Sequence, residues 1–240
     1  MKKNILFSLT VLAAGTMLAA DSSPKDDVTA AAKKLADASY SWTQTMDLGP
    51  NSQFTPPPTD GKTEKDGYTS ISTTFQDNTS VGIKKGDKVA IKTDAGWQSA
   101  AEVGGGGGGG GFNPATFMAR RMQNLKTPAV EAQDLVAATK ELKKDGDLYT
   151  GDLTDDGAKN LLSMGFGRRG GQAPPPATDA KGSVKFWLKD GALTKYESKV
   201  SGKREFNGET RDIERTTTVE IKDVGTTKIE VPDEAKKKME

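Results

Sequence analysis

Val184-Lys185-Phe186-Trp187-Leu188-Lys189-Asp190-Gly191 is the stretch that decides the fold. Val184, Phe186 and Leu188 fall on one face of a period-two segment, Lys185, Trp187 and Lys189 on the other. That alternation marks a strand with one face buried and one wet. Asp190-Gly191 supplies the positive φ angles of a two-residue hairpin, so an antiparallel partner must follow. Asn207-Gly208 repeats the turn signal, after which Ile213, Thr217, Val219 and Ile221 share one side of a second alternating segment. Asp223-Val224-Gly225-Thr226 reads as a further turn into a last strand, Lys228-Ile229-Glu230-Val231. Pro232 has no N–H to give to a ladder and ends the sheet there. Ser183 to Pro232 is therefore read as an antiparallel meander.

The first half follows the same grammar. Tyr40, Trp42, Met46 and Leu48 alternate with Ser41, Thr43, Thr45 and Asp47, and only Gln44 interrupts the apolar face. Thr69, Ile71, Thr73 and Phe75 make another one-sided strand. Val81 and Ile83 lead through Lys85-Gly86-Asp87 into Val89 and Ile91, and Ala95-Gly96 turns the chain toward Trp97, again hairpin chemistry. Pro50 to Lys65 carries Pro56-Pro57-Pro58 among polar neighbours and is read as an extended loop.

Helices are announced by their caps. Ser23-Pro24-Lys25-Asp26 pairs a cap residue with proline at the first helical position and an acid three residues on. The helix it opens runs to about Ala38, with Val28, Ala31, Ala32 and Leu35 as a narrow apolar stripe. Asn113-Pro114 opens a second, whose apolar face is Phe117, Met118, Met122 and Leu125, with Arg120 and Arg121 pointing elsewhere. Thr127-Pro128 opens a third, striped by Ala132, Leu135, Val136, Thr139 and Leu142 and closing at Lys143-Lys144-Asp145-Gly146, basic residues and a glycine as a helix C-terminus prefers. Leu148 to Leu153 is a short strand, and Thr154 caps a brief helix carrying Leu161 and Leu162.

Gly104 to Gly111 is a run of glycines. It lacks the Lys-Ser or Lys-Thr of a phosphate loop and any surrounding βαβ unit, so it reads as a flexible linker. Eight such residues span roughly 15 Å, enough for the helix after them to swing as a lid. Gly165 to Lys181, with Arg168-Arg169 and Pro174-Pro175-Pro176, reads as a second solvated insertion. Asp145, Asp147, Asp152, Asp155 and Asp156 raise the question of calcium. From Asp145 and Asp147 the loop glycine is replaced by Thr150 and Asp152, and from Asp152 the closing glutamate by Ser163. The EF-hand pattern fails, and turn and cap chemistry accounts for these aspartates.

Composition narrows the function classes. Lys plus Arg number 34 against 33 for Asp plus Glu, which removes a global electrostatic case for nucleic acid. The chain has no His and no Cys, hence no imidazole metal site, no Ser-His-Asp or Cys-His arrangement and no disulfide. No metal, cofactor or catalytic residue is expected, and the protein is read as a non-enzyme. Met1 to Ala20 has the layout of an export signal: Lys2 and Lys3, an apolar run from Ile5 to Ala14, then small residues before Asp21. Apolar residues at 34% suit a half-covered sheet with one wet face. One domain over 21–240 is expected, with insertions near 50–65, 104–111 and 165–181.

The run from Val184 to Gly191, the charged meander after it and the closing Val219-Glu220-Ile221-Lys222-Asp223-Val224-Gly225-Thr226-Thr227-Lys228-Ile229-Glu230-Val231-Pro232 resemble the end of the bacterial LolA/LppX/LprG superfamily. Its members are periplasmic lipoprotein carriers and envelope lipid-binding lipoproteins. The resemblance implies an α+β fold: a strongly curved antiparallel sheet, a half-barrel, with helices over the concave face and an apolar cavity between. No cysteine follows the export signal, so the lipid anchor of LppX and LprG has no attachment point, and a soluble periplasmic or secreted monomer is expected. In LolA an arginine on a strand helps keep the cavity closed. The strand Tyr40 to Leu48 has no arginine, and no gating residue is carried over.

The cavity candidates are Trp42, Met46, Ile71, Phe75, Val89, Ile91, Phe117, Met118, Met122, Leu135, Phe186 and Leu188. On the residues alone they are ordinary core, but methionine repacks readily and equally suits variable acyl chains. Two functions follow. One is a carrier or binder of a lipid, a lipoprotein acyl moiety or another hydrophobic envelope component. The other is an RseB-like regulatory or structural module acting through an envelope protein partner. An open apolar cavity favours the first, a collapsed one the second.

Overall fold

The computed structural model describes residues 22–65, 67–105, 113–163, 175–206 and 208–240. The export signal over 1–20, Arg168-Arg169, Asn207 and most of the glycine run lie outside the described residues.

The strands are β1 (Tyr40–Asp47), β2 (Thr59–Thr63), β3 (Thr69–Phe75), β4 (Asn78–Lys85), β5 (Lys88–Thr93), β6 (Gly96–Ser99), β7 (Lys143–Asp145), β8 (Leu148–Asp152), β9 (Thr178–Lys189), β10 (Ala192–Phe206) and β11 (Glu209–Lys222). They form one open antiparallel sheet of eleven strands in the order β6-β5-β4-β3-β2-β1-β11-β10-β9-β8-β7. The described helices are α1 (Pro24–Ala36), α2 (Ala100–Gly105), α3 (Pro114–Gln123), α4 (Pro128–Ala137), α5 (Asp155–Ser163) and α6 (Asp233–Lys237). The fold is α+β, and an unclosed antiparallel sheet of this kind is consistent with a curved half-barrel.

The local signals act as expected where they are strong. Asp190 and Gly191 both take positive φ, 52° and 72°, and the hairpin pairs Leu188 with Leu193. Ser23 and Asp26 form a reciprocal capping box at α1, and Asn113 accepts from the Thr116 N–H at α3. The strand pairing brings the ends together: β1, the first strand, pairs along its length with β11, the last, setting Trp42 opposite Ile221 and Gln44 opposite Val219.

Four expectations are corrected. Thr59–Thr63, inside the presumed loop 50–65, is a strand in the middle of the sheet. It has no apolar side chain to betray it. Its Gly61 is needed because the Trp42 indole lies on it: a Cβ there would sit 2.1 Å from the ring. The helix opened by Pro128 stops at Ala137, and Lys143–Asp145 pairs as β7 with β8 across Gly146, whose φ is 59°. The basic residues read as a helix end belong to an edge strand, where charge resists further pairing. Thr178 to Lys181 begins β9 instead of closing an insertion. Lys228 to Val231 is not a strand: the last strand ends at Lys222, and the chain continues into α6.

One face of the sheet, the inner face, carries α1, α3 and α5, with α2 and α4 beside them. Its apolar residues form a continuous cluster from Val89 and Ile91 through Ile71, Trp42, Val219 and Tyr196 to Phe186 and Tyr149. On the opposite face Ile83 and Ala90 alternate with Gly82 and Ile91, and Ala235 of α6 and Met239 just after it cover them. No described helix is long and apolar enough to cross a membrane.

Candidate ligand-binding face

The candidates divide into two groups. Nine of the twelve, namely Trp42, Ile71, Val89, Ile91, Met118, Met122, Leu135, Phe186 and Leu188, are buried in one cluster. Met46 is half-buried. Phe75 and Phe117 are 48% and 52% exposed, so they lie outside that packed interior, and Phe75 instead meets Phe54 with ring centroids 6.2 Å apart and the planes tilted by 54°.

The buried nine belong to one continuous hydrophobic cluster. Met122 of α3 lies on Gly82 of β4, where a Cβ would be 2.5 Å from its Cγ and 3.3 Å from the Ile91 Cδ1. Two clefts of about 720 and 500 Å³ lie among the described residues, and Trp42 and Ile71 of the buried nine form part of the smaller one's wall. The larger is at the end of the sheet, between Leu48–Asn51, α5 and the Gly202–Ile213 pair of β10 and β11. The smaller runs between the outer side of β1 to β4 and the segment from Lys228 to Pro232.

Polar side chains enter this apolar interior at chosen points. Arg121 turns inward and donates to the Thr59 Oγ1 at 2.6 Å and the Gln44 Oε1 at 3.3 Å, which corrects the outward direction expected for it. Burial pushes its guanidinium down from the ordinary arginine range. The sequence signal was Gln44, the one polar break in the inner face of β1. Its amide now has a reason, since it and Thr59 are neighbours across the β1–β2 pair and together take up a helix-borne cation. Tyr40 accepts from the Ala129 N–H at 3.3 Å, a role the Thr127 side chain does not fill at the start of α4.

Tyr196 donates to the Glu131 carboxylate at 2.7 Å. Burial pushes the Glu131 carboxyl up from its ordinary value, against the pull of that hydrogen bond and of the Arg215 charge. Arg204 donates to the Leu162 carbonyl at 3.1 Å, and Arg215 to the Leu161 carbonyl. Neither arginine was among the candidates. Their signal was a basic residue in the inward phase of a strand: Val200 and Arg204 share the phase of Tyr196, and Arg215 that of Val219.

No family model matches the chain. No curated protein matches it. Solved structures similar to it include LprF from Mycobacterium bovis, at 9% identity over 88% of this chain and 97% of that one, with a TM-score of 0.43. A LolA superfamily protein from Nitrosomonas europaea covers 88% of this chain and 96% of its own at 10% identity and TM-score 0.34. An outer membrane lipoprotein-sorting protein domain from Vibrio parahaemolyticus covers the same shares at 11% and 0.28. Strand order and register, and not these likenesses, define the fold.

Proposed function

We propose that this chain is a non-catalytic, exported, monomeric carrier of an amphiphile, a lipid or a lipoprotein acyl moiety, and that the structure is its closed form. In this reading 21–240 act as one domain, and the acyl chain enters between the sheet and α3. The observation that carries the reading is how α3 is seated. Two buried methionines, Met118 and Met122, form its contact layer, and Met122 lies on a glycine; a polar clasp from Arg121 to Gln44 and Thr59 holds the same helix down. Methionine side chains repack at little cost, and the clasp is hydrogen bonds that water can replace. An acyl chain of about fourteen methylenes gains on the order of 11 kcal/mol on burial before ordering costs, enough to hold the helix away from the sheet.

The test loosens the seat. Arg121→Gln removes the clasp's charge, and Gly82→Ala sets a methyl against Met122. Both variants should take up a fluorescent fatty acid several-fold faster than the wild type. If they melt earlier and take up no more probe than a wild type that takes up none, the carrier reading fails. The mutual packing of the buried nine favours a second reading, an interaction module working through an envelope protein partner, and it takes over in that event.

A further inference from the structure

One end of the sheet is almost without charge. Residues 48–59 and 69–83 carry one charged side chain, Asp77, in a chain of which 28% is charged. Strand pairing gathers these segments: Thr59 lies between Gln44 and Thr73, and Thr73 opposite Ser80, while the Thr73 hydroxyl donates to the Pro58 carbonyl at 2.9 Å. Two phenylalanines mark the rim. Phe75 keeps the inward phase of Ile71 but lies at the end of β3, past the packed interior. Phe54, between β1 and β2, meets it there. With Phe54 52% and Phe75 48% exposed, the pair leaves roughly 200 Å² in water, taking about 200 Å² for each residue. Toward β11 the Asp47 carboxylate accepts from the Gly49 N–H, and Glu214, paired with Lys199, lies against the same glycine. Arg121 is turned inward to Gln44 and Thr59.

Size and charge choose the occupant. A stable protein partner needs about 800 Å² on each side, several times what the two rings expose. Attraction to anionic lipid rests on exposed lysine or arginine, whereas Asp77, Asp47 and an ion pair make this flank net acidic. Two rings on an uncharged stem enter the head-group layer of a bilayer without taking a charge out of water. A single acyl anchor already binds membranes only reversibly, so the contact made by two half-exposed rings is brief.

We propose that Phe54 and Phe75 form a wedge that seats this end of the sheet on a zwitterionic bilayer surface. The wedge rests on the carrier reading for its purpose: it sets Thr59, and with it the Arg121 clasp, against the membrane that gives up or receives the amphiphile. Its evidence is separate from the evidence for that reading.

The chain has no cysteine, so a single one can report on the contact. Thr55→Cys puts an environment-sensitive fluorophore beside Phe54, and Asp87→Cys puts it in the β4–β5 turn, at the other end of β4 from the Phe75 turn. On vesicles of phosphatidylcholine alone the label at 55 should brighten and shift to the blue, and the label at 87 should do neither. Phe54→Ser combined with Phe75→Ser should weaken vesicle binding at least about tenfold and, since both side chains are exposed, leave Tm close to that of the wild type. Adding phosphatidylglycerol should not strengthen binding. A silent label at 55, equal binding by the double variant, or binding that needs the anionic lipid overturns the proposal. So does a shift at 55 that grows with protein concentration and needs no vesicles, which assigns the pair to a second copy of the chain. Vesicle binding through the wedge by protein that takes up no fatty acid supports this inference and overturns the carrier reading alone.

Discussion

The two wings of the sheet are built differently. On one side β9, β10 and β11 are 12, 15 and 14 residues long, are joined in sequence order and bury Phe186, Tyr196, Val200 and Val219 under α1 and α5. Their outer face is laced with cross-strand pairs such as Lys185–Glu197 at 3.0 Å and Lys199–Glu214 at 2.9 Å. On the other side β2 to β6 are four to eight residues long and are covered on both faces, inside by α2 and α3 and outside by the C-terminal α6. Both wings pair strands that follow one another in the chain, and α1 reaches the first from far away. The second differs in being covered on its outer face as well, by the C-terminal segment, and the carrier reading makes it the wing that opens. Surface ion pairs contribute little to this contrast, because exposed pairs are worth at most about 1 kcal/mol.

Phe186→Ala strikes the long wing at its centre and should cost about 3–5 kcal/mol in urea unfolding, whereas Phe75→Ala, exposed on the short wing, should stay within about 0.5 kcal/mol. Similar costs for the two would erase the contrast. Ending the chain after Pro232 uncovers Ile83 and Ala90 and removes the buried Met239, an expected loss of about 2–3 kcal/mol. Hydrogen exchange should then quicken in β4 to β6 while β9 to β11 stay protected; uniform loss of protection would mean that the wings unfold as one. Gly61→Ala drives a methyl into the Trp42 indole and should cost about 1–3 kcal/mol, read as a fall in Tm with quenching or shift of tryptophan emission. An unchanged protein would show that the ring does not lie on β2.

The smallest effect is electrostatic and joins the two faces of the short wing. Lys238 of the C-terminal tail donates to Glu102 of α2 at 2.5 Å, and with the Ser99 backbone N–H and hydroxyl it holds that carboxyl at about 2, below its usual 4.5. A carboxylate whose folded value is depressed contributes stability above its unfolded value and loses it as pH falls. The contribution should be whole above about 4.5 and gone below about 2. Lys238→Gln should accordingly lower Tm slightly at pH 6, and less at pH 2 than at pH 6. A deficit that persists at pH 2 would assign the effect to packing.

Hairpins with Asp-Gly at their tips, proline-led helix starts and the inward stripe of Val184, Phe186 and Leu188 were legible in the sequence, because each is decided within a few residues. Ala100–Gly105 was not: its first residues continue a strand, its last begin the glycine run, and its Ser99–Glu102 cap is too short a signal to stand out. Lys228 to Val231 misled in the opposite sense, since alternation marks any extended segment that packs by one side, and only Ile83 and Ala90 beneath α6 show why this one leaves the sheet.

The sequence by itself determined an antiparallel α+β chain with one apolar face and no thiol or imidazole chemistry, for those properties lie in residue type and local period. Only the tertiary structure decided that β1 closes on β11, that the polar Thr59–Thr63 is a central strand, and that Arg121, Arg204 and Arg215 turn inward. Each of these is settled by a partner distant in sequence: an indole that needs a glycine opposite it, an amide and a hydroxyl that meet only when two strands pair, and carbonyls at the end of a helix with no basic residue in its last turn. Periodicity assigns a side chain to a face, and what waits on that face is known only once the strands are in register.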